Sequence, residues 1–328
     1  MKKLVYISHN VLGYEVLKQI FSSISQNSLD LAVELVISRN PSEKLSDQMS
    51  FSDICSEKNV ELIETSDLRK ESELVAKIKN IKPDFLFVFG WSQIIPQEII
   101  DCAGLSLGTH PALLPKNRGN AAIPWTILLD EKETAMTLFE LKGDVDSGRI
   151  VAQRKFEVSL RETSTTLYEK CVENTKLMLR EALPLLVNGQ FELKEQEGEP
   201  SYLGRRKPED SLVDWKLDSE SVDRLVRAES HPYPESYSFL KKKGKWIKAE
   251  ILESEISQYN NYHATPGSVL DVNEKGVIIS CGKGNILVSR IRIDGKELRA
   301  NDFLTKADKF DTKMNDDLFS LICERGTP

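Results

Sequence analysis

The sequence predicts an α/β protein in which a mostly parallel sheet with flanking helices is followed by a smaller, β-rich C-terminal domain. Short, continuously apolar runs alternate with helix-like segments in the first part of the chain. This alternation is typical of parallel sheets, whose strands are buried on both faces. Beyond Tyr237, short strand-like segments are separated by turns at close intervals. That pattern is typical of a small β barrel or an open antiparallel sheet.

The elements of the first part follow from hydrophobic periodicity. Apolar side chains at helical spacing predict helices over Tyr14–Ile24 and Leu68–Ile81. The predicted strands are Leu4–Ile7, Ala32–Ile37, Val60–Ile63, Phe85–Phe89 and Ala135–Glu140. We therefore expect a Rossmann-like sheet, and ligand sites in such sheets lie at the carboxyl ends of the strands. The GxGxxG fingerprint is absent from the sequence, so the fold alone predicts no dinucleotide.

A change of composition marks the second part of the chain. A long helix is predicted from Thr163 to about Leu186, and a polar stretch follows at Gly198–Asp210. An amphipathic helix over Ser219–Ala228 then precedes the short strands. We predict two domains: residues 1–200 with the Rossmann-like sheet, and residues 201–328 with a linking helix and the small barrel or sheet.

Composition restricts the class of protein. The 328 residues carry a formal charge of −7, and this acidic balance argues against a nucleic-acid partner. Five scattered cysteines without CxxC spacing predict reduced thiols, a cytoplasmic location and no metal site. No apolar run approaches the roughly 18 residues of a membrane-spanning helix, so we expect no membrane association.

Two loops contain the residues that are best suited to catalysis. His110 is one of four histidines, and it lies in a Gly- and Pro-rich loop after an apolar strand. Asp146 lies in a turn between Gly143 and Gly148. A His and an Asp brought together from two such loops form a plausible general base and the group that orients it. On spacing alone, a structural or merely exposed histidine remains the alternative.

The turn after Phe85–Phe89 is a candidate ligand-binding loop. Gly90 permits close approach of the backbone, and Trp91 offers an aromatic face that suits a flat heterocycle. A core tryptophan beside a turn is the alternative. Further along, Arg205 and Arg206 could grip a pyrophosphate, because arginine pairs bidentately with phosphate oxygens. The alternative there is a solvated basic loop.

Together these motifs resemble the N10-formyltetrahydrofolate-dependent formyltransferases. The family pattern is Asn-x-His-x-Ser-Leu-Leu-Pro, with Arg-Gly shortly after and Asp-x-Gly further downstream. The matching residues here are His110-Pro111-Ala112-Leu113-Leu114-Pro115, Arg118-Gly119 and Val145-Asp146-Ser147-Gly148. Gly108 is a departure, because the family has there an Asn that helps to hold the formyl carbonyl and the developing oxyanion. Asn117 and Asn120 are nearby candidates for a substitute.

The resemblance implies roles for particular residues. His110 is implied as the general base, oriented by Asp146, with Asn120 as a further catalytic candidate. N10-formyltetrahydrofolate is implied as the co-substrate, without a metal. The implied folate-binding residues are Phe89, Gly90, Trp91, Ile94, Ile95, Lys142, Gly143 and Asp144. The implied acceptor-binding residues are Gly108, Thr109, Pro111, Arg118, Asn120, Arg205 and Arg206.

The acceptor is inferred from the second half of the chain. The series from Arg205 to Asp210, followed by Asp214-Trp215, resembles the sugar-nucleotide branch of the family. We therefore expect formylation of a UDP- or dTDP-linked 4-amino or 3-amino deoxysugar, as in bacterial surface-polysaccharide synthesis. The alternatives are formylation of initiator methionyl-tRNA, folate or nucleotide binding without catalysis because of Gly108, and, with less support, formyl-folate hydrolysis. A homodimer is a further hypothesis.

Overall fold

The computed structural model of the protein describes residues 1–40, 47–70, 72–91, 93–142, 144–259 and 264–311. The chain divides into two compact units. The N-terminal unit comprises residues 1–126, 131–160 and 166–205, and the C-terminal unit comprises residues 127–130, 161–165 and those from Arg206 onward. A domain boundary between residues 200 and 201 remains a prediction.

A seven-stranded sheet forms the centre of the N-terminal unit. Its strands are β1 (Lys2–Ile7), β2 (Leu31–Arg39), β3 (Glu61–Thr65), β4 (Phe85–Val88), β5 (Leu105–His110), β7 (Glu133–Glu140) and β8 (Ile150–Glu157). They lie in the order β3-β2-β1-β4-β5-β7-β8; the first five are parallel, β7 is antiparallel to β5, and β8 is antiparallel to β7. Outside this sheet, β6 (Arg118–Gly119) pairs with β9 (Tyr202–Leu203) in parallel.

Helices alternate with these strands. They are α1 (Val11–Asn27), α2 (Ser52–Lys58), α3 (Ser72–Ile81), α4 (Gln97–Ile100), α5 (Ala122–Leu128) and α6 (Ser164–Val187). Helix α1 begins three residues before the predicted Tyr14, because the Asn10 side chain caps it by accepting a hydrogen bond from the Gly13 N–H at 3.0 Å. Helix α6 continues through Pro184 to Val187.

The core of the N-terminal unit explains why the apolar runs become strands. One cluster joins Val5 and Ile7 of β1, Leu35 and Ile37 of β2, and Leu86 of β4, all of them fully buried. Each such side chain contributes about 1.5–3 kcal/mol when it leaves water. The carboxyl ends of β4 and β5 are therefore fixed positions for the loops that follow them.

The C-terminal unit contains an open antiparallel sheet. Its elements are α7 (Ser219–Ala228), β10 (Ser236–Lys242), β11 (Lys245–Ile256), β12 (Val269–Asn273), β13 (Gly276–Ser280), β14 (Asn285–Ile293), β15 (Lys296–Arg299), α8 (Ala300–Phe303) and β16 (Phe310–Asp311). The strands lie in the order β12-β13-β14-β11-β10-β16, and β15 pairs with β14. In its core, Trp215 stacks on Phe310 with ring centroids 5.3 Å apart, and its indole N–H donates to Ser238 Oγ at 2.9 Å. The predicted fold class is confirmed.

Candidate active site

The His110 imidazole lies between two oxygens at the end of β5. Its side chain is almost wholly buried, with 7% exposed. Nε2 is 2.7 Å from the Asn117 carbonyl oxygen, and Nδ1 is 3.5 Å from Asp146 Oδ2. Each ring nitrogen therefore faces an acceptor, so an imidazole protonated at both nitrogens has an oxygen partner on each side. That is the state that a histidine base reaches once it has taken a proton.

Asp146 reaches His110 from the loop between β7 and β8. Its Oδ2 accepts a hydrogen bond from the Gly119 N–H at 2.8 Å, which fixes the carboxylate. Its backbone has a φ of 51°, in the left-handed region that Asp tolerates better than most residues. Position 148, at the end of the same loop, requires glycine because a Cβ there would lie 1.7 Å from the Glu140 carbonyl oxygen. The loop can thus return to β8 only with glycine at this position.

The segment that opposes His110 is braced by residues 201–204. The Asn117 N–H donates to Ser201 Oγ at 2.8 Å, and the Arg118 N–H donates to the Ser201 carbonyl at 2.9 Å. The short β6–β9 pairing continues this contact. Asn117, a candidate for the missing side-chain donor, instead meets His110 through its backbone carbonyl, and its side-chain oxygen accepts from Ser201 Oγ.

Gln196 is a site residue that sequence analysis missed. Its side-chain N–H groups donate to the carbonyl oxygens of Asp146 and Gly148, each at 2.8 Å. Its Oε1 accepts from Arg118 Nη2 at 2.7 Å and from Nε at 3.2 Å. Gln196 lies in a polar stretch without periodicity, so no local pattern distinguishes it. Arg118, predicted to bind the acceptor, is engaged here and also contacts the Tyr202 hydroxyl at 3.2 Å.

The space beside Gly108 is occupied by Leu141. Gly108 is buried and precedes His110 by two residues on β5, so the two residues face the same side of the sheet. A Cβ at Gly108 would lie 2.7 Å from Leu141 Cδ2 and 3.5 Å from the Phe139 ring. An asparagine at position 108 therefore requires the Leu141 side chain to move.

The predicted folate-binding residues differ in exposure. Phe89 is fully buried, and Gly90 has a φ of 61°. The Trp91 Nε1 is buried without a hydrogen-bond partner, whereas Ile94 is 83% exposed. Ile95 is half-buried, Lys142 and Asp144 are exposed, and Gly143 lies outside the described residues. The folate-binding assignment of this set remains a prediction.

The remaining predicted acceptor residues are spread along the chain. Thr109 and Pro111 are half-buried, and Asn120 and Arg205 are exposed. Asn120 donates its backbone N–H to the Leu203 carbonyl at 3.5 Å. The structure thus brings together His110, Asp146 and Arg118, while Asn120 and Arg205 have side chains available at the surface.

Arg206 is held inside the C-terminal unit by Glu229. Its guanidinium is 2.6 Å from Glu229 Oε1 and donates to the Asp210 carbonyl at 2.8 Å. Burial raises the pKa of the Glu229 carboxyl, and the Arg206 charge opposes that rise. This pairing accounts for the burial of Arg206, and its predicted part in phosphate binding remains a prediction.

Glu229→Ala should lower the free energy of unfolding of the C-terminal unit by about 3 kcal/mol, because it leaves the largely buried Arg206 charge without its carboxylate. Thermal and urea unfolding measure this loss. The matched control is Glu209→Ala, since Glu209 is exposed nearby. Equal stability of the two variants would show that the ion pair does not stabilise this unit.

Three properties of the described residues bear on the site. Cys55, Cys102, Cys171 and Cys281 are free thiols. In the described ranges, no group of three or more His, Cys, Asp or Glu residues could hold a metal ion. Within the same part of the chain, each helix is too short or too polar to cross a membrane.

A histidine beside a carboxylate at the end of a parallel strand is an arrangement that can carry out proton transfer. Residues 1–183 match the sequence model of the formyl transferase family, and residues 205–308 match that of the formyl transferase C-terminal domain. The chain therefore belongs to the formyl transferase family, whose members are enzymes that transfer formyl groups.

Known proteins show the same relationship. A methionyl-tRNA formyltransferase of Clostridium novyi (strain NT) is 27% identical over 248 residues, which are 75% of this chain and 78% of that protein. An N-formyltransferase from Helicobacter canadensis, solved with folinic acid and dTDP-3-aminofucose, is similar with a TM-score of 0.62 and 19% identity, over 88% of this chain and 99% of that one. HypX from Aquifex aeolicus, solved with tetrahydrofolic acid, gives a TM-score of 0.62 and 20% identity over 91% of this chain. This chain spans 46% of HypX, about half its length.

Proposed function

We propose that this formyltransferase moves a formyl group from N10-formyltetrahydrofolate to the amine of a nucleotide-linked amino deoxysugar. The observation that carries the proposal is the His110–Asp146 pair, which the last residue of β5 and the loop between β7 and β8 bring to 3.5 Å. Acyl transfer to an amine requires a group that takes a proton from the attacking nitrogen. His110 is the buried titratable side chain beside such a carboxylate.

In the proposed reaction, the amine nitrogen attacks the formyl carbon and the bond from that carbon to N10 breaks. Asp146 accepts from Nδ1–H, so Nε2 is the nitrogen that takes the proton. The amine takes the place of the Asn117 carbonyl beside Nε2, which receives the proton that the amine loses and returns it to N10, so no net proton is consumed. A 3.5 Å contact is longer than a good hydrogen bond, and catalytic hydrogen bonds commonly shorten when substrates bind.

The Trp91 loop fits a folate ring. Trp91 supplies a buried N–H without a partner, and the nearby Ile94 leaves an apolar side chain at the surface. On the loop that bears Asp146, Val145 is 55% exposed. Large apolar groups left in water beside unused polar atoms suit a flat heterocycle with polar edges. We therefore keep the predicted set as the proposed folate contacts: Phe89, Gly90, Trp91, Ile94, Ile95, Lys142, Gly143 and Asp144.

The amino-sugar acceptor is supported by charge and by a structural neighbour. The chain has a formal charge of −7, which disfavours a large polyanion such as tRNA. Arg205 is exposed, so its guanidinium can meet a phosphate group. The Helicobacter canadensis enzyme was solved with a dTDP-linked amino sugar. We further propose a homodimer that acts in the cytoplasm.

Methionyl-tRNA formylation is the second candidate. The Clostridium novyi relative with this name is 27% identical to the chain. In addition, the hairpin of β10 and β11 exposes Lys241, Lys243 and Lys245. A basic hairpin can contact RNA phosphates, although it is also an ordinary solvated surface.

The test is incubation with N10-formyltetrahydrofolate and a panel of UDP- and dTDP-linked amino sugars, with the product read by mass spectrometry. We expect the mass of one formyl group to be added to one of the sugars. Initiator methionyl-tRNA is the parallel acceptor, and its formylation alone would establish the second candidate. Folate binding without turnover of any acceptor would contradict both and indicate a binding protein that lacks the oxyanion donor.

A further inference from the structure

We infer that Gln196 is a positioning residue that holds the Asp146 loop in register with His110. The inference rests on the proposed function of the His110–Asp146 pair. Gln196 does not face a ring nitrogen of His110 but acts through Asp146, from 50 residues further along the chain.

The Gln196 carboxamide has its hydrogen-bonding capacity fully used. It has two N–H donors, and each meets a carbonyl oxygen at 2.8 Å, one of Asp146 and one of Gly148. Its oxygen has two lone pairs and receives two N–H groups from Arg118. A side chain with every donor and acceptor satisfied has one orientation, so it can act as a rigid brace.

These bonds close a ring around Asp146. The Asp146 carboxylate is bound to the Gly119 N–H, and its carbonyl is bound to Gln196. Gln196 is bound in turn to Arg118, which precedes Gly119 in the chain. Asp146 is therefore fixed at its side chain by Gly119 and at its backbone by Gln196, which is itself bound to the neighbouring Arg118.

The backbone conformation of Asp146 explains why the loop needs this support. A φ of 51° costs a non-glycine residue about 1–3 kcal/mol and persists only where the surroundings fix it. The loop around Asp146 is exposed at Asp144 and Val145, so its neighbours on that side supply little packing. Without Gln196, relaxation of this φ would move the carboxylate away from His110 Nδ1.

Gln196 is itself held in place by the sheet. The Ile150 N–H donates to the Lys194 carbonyl at 2.7 Å, and the Lys194 N–H donates back to Ile150 at 2.9 Å. This bridge fixes the backbone two residues before Gln196 against β8. Gln196 thus couples the position of the Asp146 loop to that of the central sheet.

Gln196→Glu and Gln196→Ala test the inference. Glutamate keeps an acceptor for Arg118 but turns an oxygen toward the two carbonyls, so only the support of Asp146 is lost. We expect kcat to fall about 30- to 100-fold in both variants, because misplacing a catalytic group by about 1 Å has effects of that size. The KM for the folate should stay close to wild type, and the lost hydrogen bonds should lower the melting temperature without unfolding the protein at the assay temperature. Glu197→Ala, at an exposed neighbouring position, is the control.

A second readout separates this inference from the proposed function, because it needs no substrate. The imidazole NMR signals of His110, assigned with His110→Gln, should move in Gln196→Glu toward their positions in Asp146→Asn. Unchanged His110 signals, or a Gln196→Glu kcat within threefold of wild type, would overturn the inference. Failure of the wild-type protein to formylate any acceptor, with the signals shifted as expected, would count against the proposed function alone.

Discussion

Replacing His110 by alanine lowers kcat for formyl transfer by about 10³-fold, because general base catalysis typically contributes 10²–10⁴. Asp146→Asn lowers it by a comparable factor. Asparagine keeps an oxygen for the Gly119 N–H and also tolerates a positive φ, so the loop keeps its shape. It removes only the negative charge that faces Nδ1, 3.5 Å away.

Single-turnover formation of the formylated product measures this effect, and equilibrium binding of the folate shows that the site remains intact. His231→Ala is the matched control, since that histidine is exposed in the C-terminal unit. If His110→Ala kept more than a tenth of the wild-type kcat, His110 would not be the base. The Asn117 carbonyl and Asp146 would then serve to position a structural imidazole.

The strands of this sheet are predictable from the sequence because each buried strand is a continuous run of apolar residues. The runs around Leu4–Ile7 and Phe85–Phe89 are buried on both faces, so they are apolar without interruption. Strand β8 is harder to predict from the sequence, because its side chains are half-buried or exposed. The start of α1 was predicted too late, since Gly13 lies in its first turn. A Cβ there would lie 1.7 Å from Ser8 Oγ, a tertiary constraint that no propensity expresses.

Only part of the site can be predicted from local sequence. His110 and Asp146 are recognisable because glycines lie close to each of them in the sequence. The prediction that His110 lies in a loop was wrong, since it is the last residue of β5 and pairs with Thr137 of β7. Gln196 is recognisable only in three dimensions, since its partners are Arg118, Asp146 and Gly148. The same applies to Arg206, whose partner Glu229 lies at the end of α7. A basic sequence does not show whether its arginine faces solvent or a buried carboxylate.

Gly108→Asn combined with Leu141→Ala should raise kcat by about 10²-fold, because loss of one oxyanion donor typically costs 10²–10³. The side of β5 that bears His110 is the side toward which a side chain at position 108 projects. Leu141 occupies that space, with Cδ2 2.7 Å from the position of a Cβ on Gly108. The single variant Gly108→Asn should therefore gain less activity and lose stability until Leu141 moves.

The two changes must be measured separately and together. Leu141→Ala alone should leave kcat near wild type and lower the free energy of unfolding by about 2 kcal/mol, because Leu141 is only half-buried. A gain in the double variant that exceeds both single effects would identify the carboxamide at position 108 as the missing donor. No gain, with folate binding preserved, would mean that another group already stabilises the oxyanion. Asn120→Ala would then identify it: a loss of about 10²-fold in the wild-type background assigns the donor to the exposed Asn120 side chain.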